Sequence, residues 1–375
     1  MMKGKDKNGL KIFLLFMLLL AFLPLIQYLF EPIILKGLEG AFVVIEKPVL
    51  NKKNWEDATF QEHTSLYLTH HTPFRADFVR LKNQLNYWLF DEINTILTLG
   101  KENYIFDPNY IDARTGKDYL AEDVRMQKRS SLIKVKSILD SLNVPLLVCF
   151  APNKANYYSE FLPQTEPLAS KRNQLYFETT LNELKIPIIN FDRFFMSQKS
   201  STEYPLMPKY GAHWSTYGAY IAGNILCNTI DSIKHEKNIN IILSSNEKSS
   251  KARFTDDDYL ASLNLISKWK SPEMAYPQLT FKVIKQPNVL IISDSFFWNF
   301  YDLNLVQNCF SKESEMWYYN KTKYNNLKEK IGSKTDAITL NQVKDRDVII
   351  IVSSDPGLKE FGYGFFEQLS SLHVN

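Results

Sequence analysis

The chain has 375 residues, long enough to bury a full core, and a formal net charge of +3. Lys3, Lys5, Lys7 and Lys11 crowd the first eleven residues, so the remainder is nearly neutral and shows no basic stripe for nucleic acid. The three cysteines (Cys149, Cys227, Cys309) have no CxxC spacing, which leaves at most one disulfide and no zinc site or disulfide scaffold.

In chain order, the first element is "IFLLFMLLLAFLPLIQYLF", Ile12 to Phe30, which carries no charge. At about 1.5 Å per residue it rises roughly 28 Å, close to the ~30 Å hydrocarbon core of a bilayer. The lysines before it stay in the cytoplasm by the positive-inside rule, which sends the rest of the chain across. A cleaved signal peptide is the alternative, but no A-x-A-like site follows the apolar run. Residues 1–30 are therefore read as a cytoplasmic tail and single-pass anchor in the cell membrane. Residues 31–60 follow as a juxtamembrane segment, and 61–375 form one globular domain in the periplasm or outside the cell.

From His63 to Asn94 a loop leads into an amphipathic helix, with Phe78, Leu81, Leu85 and Leu89 at helical spacing. "LTLGKENYIFDP" predicts a Gly-Lys turn between two short strands. Thereafter helices near 121–142, 170–184 and 215–232 alternate with strands at 146–150, 186–191, 288–293 and 347–352. A short aromatic strand lies near 315–320, and a last helix near 358–371. The stretch 233–258, rich in Ser, Lys and Asn, reads as a surface excursion. Continuous apolar strands alternating with amphipathic helices predict an α/β fold, a parallel sheet covered by helices on both faces. No Gly-rich phosphate loop occurs, and neither a metal nor a cofactor is expected.

Ligands of such sheets bind beyond the carboxyl ends of the strands. The residues that follow those ends are Asn153 and Lys154, Asp192, Asp294 and Ser295, and Ser353, Ser354 and Asp355. A serine at a strand-to-helix turn stands where a nucleophile needs to be, and it needs a base beside it. Of six histidines, His235 and His373 fall in a charged run and at the terminus, and His63, His70 and His71 precede the sheet. His213 is left, followed by Trp214 and by Ser215, a helix N-cap. The alternative for His213 is a loop residue that only packs.

These segments resemble the SGNH-hydrolase-like alginate O-acetyltransferase group, the AlgX/AlgJ type, over about residues 60–370. "PFRADFVRLKNQL" and "LGKENYIFDP" resemble its Arg-containing first segment and its Gly-Lys turn, and "FAPNKANYYSEFLP" its Pro-Asn-Lys loop. "GAHWSTYGA" is similar to its D-x-H-W-[ST]-x-x-G motif and "IISDSFF" to its G-D-S-F turn, with "MWYYN" and "DVIIIV" following in family order. The resemblance implies Ser295 as nucleophile and His213 as base. It also implies transfer of an acetyl group through an acyl-serine to an extracytoplasmic polysaccharide, the donor being served by a multi-spanning membrane acyltransferase. Asn153, Lys154, Trp214 and Asp294 are the expected substrate-binding residues. Two positions depart from the pattern: the aspartate two residues before the histidine is Gly211, and the glycine of G-D-S is Ser293. The site is then a Ser-His dyad, or it borrows a carboxylate such as Asp192, or it has lost catalysis. In the last case the chain is a silent glycan-binding or scaffold subunit; hydrolysis instead of transfer would make it a carbohydrate esterase. If the carboxylate is missing, Gly211→Asp is expected to raise activity, provided the loop accepts a side chain.

Overall fold

The computed structural model describes residues 4–40, 45–93, 95–334 and 338–372, so His373 lies outside the described residues. They form two compact units, one of Met1–Asn94 with Ala261–Lys268 and one of Thr95–Leu260 with Trp269–Asn375.

The first unit is helical. α1 (Gly4–Phe30) contains Gly9–Phe30, a run of 22 residues long and apolar enough to cross a membrane. Pro24 lies inside this helix. α2 (Lys52–Glu56) starts where the Asn51 side chain accepts from the backbone N–H of Asn54 at 2.8 Å. α3 (Thr59–His71) occupies the region expected as loop, and α4 (Arg75–Phe90) is the expected helix. The 31–60 segment thus holds α2 and the first residues of α3.

The second unit carries the sheet. β1 (Thr98–Leu99) and β2 (Ile105–Phe106) pair around the Gly-Lys turn, as the sequence predicts. Then come α5 (Pro108–Thr115), α6 (Glu122–Ser141), β3 (Leu146–Phe150), α7 (Lys154–Tyr157), α8 (Asn173–Glu183), β4 (Ile188–Asn190), α9 (Phe191–Gln198) and α10 (Thr216–Ile233). After β5 (Ile239–Ser249), α11 (Asp258–Ser262) and β6 (Met274–Val283) the chain enters β7 (Val289–Ser293), α12 (Trp298–Asp302) and α13 (Leu305–Cys309). It ends with β8 (Glu315–Tyr318), β9 (Thr322–Asn325), β10 (Lys330–Ser333), β11 (Val348–Ser353) and α14 (Phe365–Ser370).

The central sheet has seven strands in the order β10-β9-β8-β7-β11-β3-β4. The four strands expected to be parallel are adjacent and parallel, and β8 joins them in the same sense. β9 and β10, too short and polar to stand out in the sequence, extend that edge antiparallel. Successive residues point to opposite faces. Leu147, Cys149, Ile291 and Ile350 enter a core shared with α9, α10, α12 and α13, while Val148, Leu290, Ile292 and Ile351 enter one shared with α6, α8 and α14. Both faces are covered, which is why these strands read as unbroken apolar runs.

A further expectation fails. The polar stretch 233–258 is no simple surface excursion, because β5 runs through it and pairs antiparallel with β6 along ten residue pairs. Ile239 and Ile241 alternate into the core beside Leu226 and Ile230 of α10. The Ser, Asn and Lys between them hid a half-buried strand. Its connection to β6 brings residues 253–260 back against the start of α10, with consequences for the site.

Candidate active site

Ser295 opens the turn that follows β7, on the sheet's carboxyl edge. Asp294 shapes that turn by accepting from the backbone N–H of Phe296 at 3.1 Å. Its other oxygen accepts from the Ser354 N–H at 2.7 Å and the Tyr363 hydroxyl at 3.0 Å, tying the ends of β7 and β11 together. The serine is left partly exposed at the junction.

His213 arrives on the loop before α10. Ser215 caps that helix, its Oγ accepting from the Gly218 N–H at 2.9 Å and donating to the Pro205 carbonyl at 2.6 Å. Trp214 is fully buried, its ring set edge-on to Phe191 and Phe296 at 5.5 and 5.2 Å. With the neighbouring residue wedged this way, the imidazole packs on Phe296 at 4.9 Å and brings Nε2 to 2.8 Å from Ser295 Oγ. Nδ1 lies 3.2 Å from Asp258 Oδ2. An ionised carboxylate only accepts, so the ring proton sits on Nδ1 and Nε2 is free to accept from the serine. Asp258 is itself held by the Ala212 N–H, which donates to Oδ1 at 2.8 Å.

Asp192 is therefore not the orienting carboxylate. It is buried after β4, where it accepts from the Asn153 N–H at 2.8 Å and from Asn156 Nδ2 at 2.9 Å, bracing the loop that leaves β3. The carboxylate at the histidine is Asp258, 45 positions further along the chain than His213. No local spacing pointed to it. The one available signal was Gly211, and the structure explains that residue too. A Cβ there would fall 2.3 Å from the Thr255 carbonyl oxygen and 2.7 Å from Pro208 Cγ. The bare glycine admits the 255–258 loop that carries the aspartate. Next to it, Asp256 accepts from the Thr216 N–H and hydroxyl at 3.0 and 3.1 Å. Burial, the largest influence, raises the Asp256 carboxyl to about 7.

The four residues expected to bind substrate do not line the cavity at Ser295; they frame it. Asn153 is fully buried, caps α7, and donates from Nδ2 to Asp355 Oδ2 at 2.8 Å and to the Tyr110 carbonyl at 3.0 Å. Burial also pushes the Asp355 carboxyl up to about 7. Trp214 faces the core, and Asp294 is spent on the turn. Lys154 is buried, and its Nζ donates to the carbonyls of Lys209 and Gly211 at 2.8 and 2.7 Å, clamping the histidine loop. A peptide carbonyl is a good partner for such a buried amine and takes no proton from it.

Burial lowers the Lys154 amine to about 7, with Asp258 partly opposing the shift. The folded state thus binds this proton less tightly than the unfolded chain. The group's contribution to stability is complete above the ordinary lysine value near 10.5 and is lost as pH falls through about 7. The expected result is that the Tm difference between the wild type and Lys154→Met grows from pH 7 towards pH 10, followed by thermal melts across that range.

The cavity over Ser295 and His213 has a volume of about 370 Å³. Asn109, Tyr259, Tyr319, Ser354, Gly357 and Lys359 contribute to its wall. None of these is among the expected binders; Ser354 alone stands at a strand end named above. Tyr319 lines the same cavity as Ser295, and burial raises the pKa of its phenol, so it stays a proton donor at neutral pH.

No family model matches the chain. A curated protein, the probable alginate O-acetylase AlgJ of Pseudomonas putida, is 23% identical over 166 residues, 42% of each chain. The match therefore spans less than half of that relative's length. Among solved structures, the O-acetyltransferase domain of Pseudomonas putida AlgJ is similar with a TM-score of 0.45 and 17% identity, covering 73% of this chain and 98% of that one. Pseudomonas aeruginosa AlgX follows at a TM-score of 0.44 and 13% identity, covering 72% and 67%. Bacillus cereus PatB1 gives 0.43 and 13%, covering 65% and 93%. The likeness to the alginate O-acetyltransferase group that the motifs suggested is thus also found over a continuous stretch of sequence.

Proposed function

We propose that this chain is a membrane-anchored extracytoplasmic O-acyltransferase that moves an acetyl group to a polysaccharide hydroxyl through an acyl-serine. The observation that carries the reading is the unbroken relay from Asp258 through His213 to Ser295. The similarity to a probable alginate O-acetylase supports the acetyl group and the polysaccharide.

Ser295 Oγ attacks the acetyl carbonyl of the donor as its proton passes to His213 Nε2, and Asp258 holds the imidazolium. The tetrahedral oxygen takes a hydrogen bond from Tyr319. Collapse expels the donor's leaving group, which carries away the proton from Nε2. A sugar hydroxyl then enters the cavity and loses its proton to His213. It attacks the acetyl-serine, and the proton returns to Ser295 Oγ as the ester leaves on the sugar. A donor delivered across the bilayer by a multi-spanning membrane acyltransferase fits an anchor at 12–30 and a catalytic unit of Thr95–Leu260 with Trp269–Asn375, in place of one domain over 61–375.

The test is an aryl acetate as surrogate donor, offered to the detergent-solubilised full chain with and without an oligosaccharide acceptor. Mass spectrometry is expected to find one acetyl group on the Ser295 peptide, and acceptor is expected to shorten its lifetime while gaining the ester. If acetyl leaves only to water at every acceptor concentration, the chain is an esterase. With no acetyl-serine, and with polysaccharide acetylation in cells unchanged by Ser295→Ala, it is a silent subunit.

A further inference from the structure

The helix α4 is turned inside out relative to a helix of a soluble domain. Phe78, Leu81, Leu85, Trp88 and Leu89 fall on one stripe by the 3.6-residue period, and all are exposed, Phe78 by 66% and Leu89 by 67%. The opposite face, which packs inward, is polar. Asn83 and Gln84 are its buried residues, at 6% and 1% exposure. Asn83 Nδ2 donates to the Leu263 carbonyl at 2.8 Å, and Gln84 Oε1 accepts from the Ser267 N–H at 2.8 Å. The structure spends hydrogen bonds on the polar face and leaves the apolar one uncovered.

A second observation says what covers it. Arg80, on the polar face with Asn83 and Gln84, donates from its guanidinium to the carbonyl of Lys36 at 2.9 Å and to that of Gly37. Lys36 is six residues beyond Phe30, the last residue of α1. Six residues span at most about 22 Å even when fully extended. Arg80 therefore fastens the middle of α4 close to the point where the apolar span ends. An apolar stripe with a tryptophan and with cationic residues, Arg75 and Lys82, along its edge is the composition of a helix lying in a bilayer interface.

We propose that α4 lies on the outer surface of the membrane that α1 crosses, with Phe78, Leu81, Leu85, Trp88 and Leu89 in the acyl boundary. Single-pass anchoring then becomes a two-point attachment, and the first unit sits on the bilayer as a platform.

All three native thiols are buried, so a cysteine at position 85 can be labelled selectively. The full chain carrying Leu85→Cys is spin-labelled and reconstituted into vesicles of phosphatidylcholine and phosphatidylglycerol. Collision rates with oxygen and with a water-soluble nickel chelate are compared with those of a label at Lys117→Cys, a solvated position in the other unit. The label at 85 is expected to meet nickel at least about five-fold less often, and oxygen more often. Equal nickel accessibility at both positions overturns the proposal, even though α1 keeps the chain in the vesicle. A photo-crosslinking residue in place of Leu89 separates the possible occupants in cells. Lipid adducts are expected, whereas adducts to a multi-spanning protein or to a second copy of the chain give the stripe to that partner and overturn the proposal.

Discussion

Ser295→Ala is expected to lower acetyl-ester turnover by about 10⁴-fold or more and to leave the fold intact, because the lost hydroxyl sits at a partly exposed edge and bonds only the His213 loop. His213→Ala has an effect of the same size, since a serine hydroxyl without its base is a poor nucleophile at neutral pH. The double variant is expected to be no worse than either single one. Residues that act as a unit are not additive, and what remains in each case is the cavity and its donors. Steady-state rates with an aryl acetate, alongside thermal melts, check all three. Additive losses would mean that serine and histidine act on separate steps.

The second large effect belongs to Asp258→Asn. The asparagine can still accept from the Ala212 N–H, but it then turns its amide NH₂ towards His213 Nδ1. The ring must accept there and carry its proton on Nε2, facing a serine hydroxyl that it can no longer deprotonate. A wrong tautomer of this kind costs on the order of 10⁴ in rate. Gly211→Asp is expected not to rescue it and to lower both activity and Tm in the otherwise native chain. Its Cβ would sit 2.3 Å from a backbone oxygen of the very loop that supplies Asp258. That reverses the expectation drawn from the motif alone, in which a restored aspartate raises activity. Recovery of turnover in the Gly211→Asp, Asp258→Asn double variant would show that a carboxylate at the motif's position can serve the histidine, and that the 255–258 loop can give way.

How much was legible in the sequence divides along physical lines. The parallel sheet was readable because its strands are buried on both faces, so Leu146 to Phe150 and Val348 to Val352 appear as unbroken apolar runs. The Ser295 and His213 candidates were readable because each is fixed locally, by a strand-to-helix turn capped by Asp294 and by a loop closed by the Ser215 cap. β5 was not readable. A strand with one solvated face carries few apolar residues, and here those few stand among Ser, Asn and Lys. Nor did the sequence say that the stripe of α4 faces outward, because helical spacing marks a face without saying what covers it.

The sequence by itself determined the membrane-length apolar segment, the alternation of helix and strand, and the serine and histidine candidates that meet at the sheet edge, since each depends on neighbours a few positions apart. Only the tertiary structure decided which carboxylate completes the site and what Asn153, Lys154, Trp214 and Asp294 do. Asp192 and Asp258 are equally good acids on paper. What separates them is a chain path through β5 and back, and a glycine at 211 without which the 255–258 loop could not come close enough to place Asp258 against the imidazole.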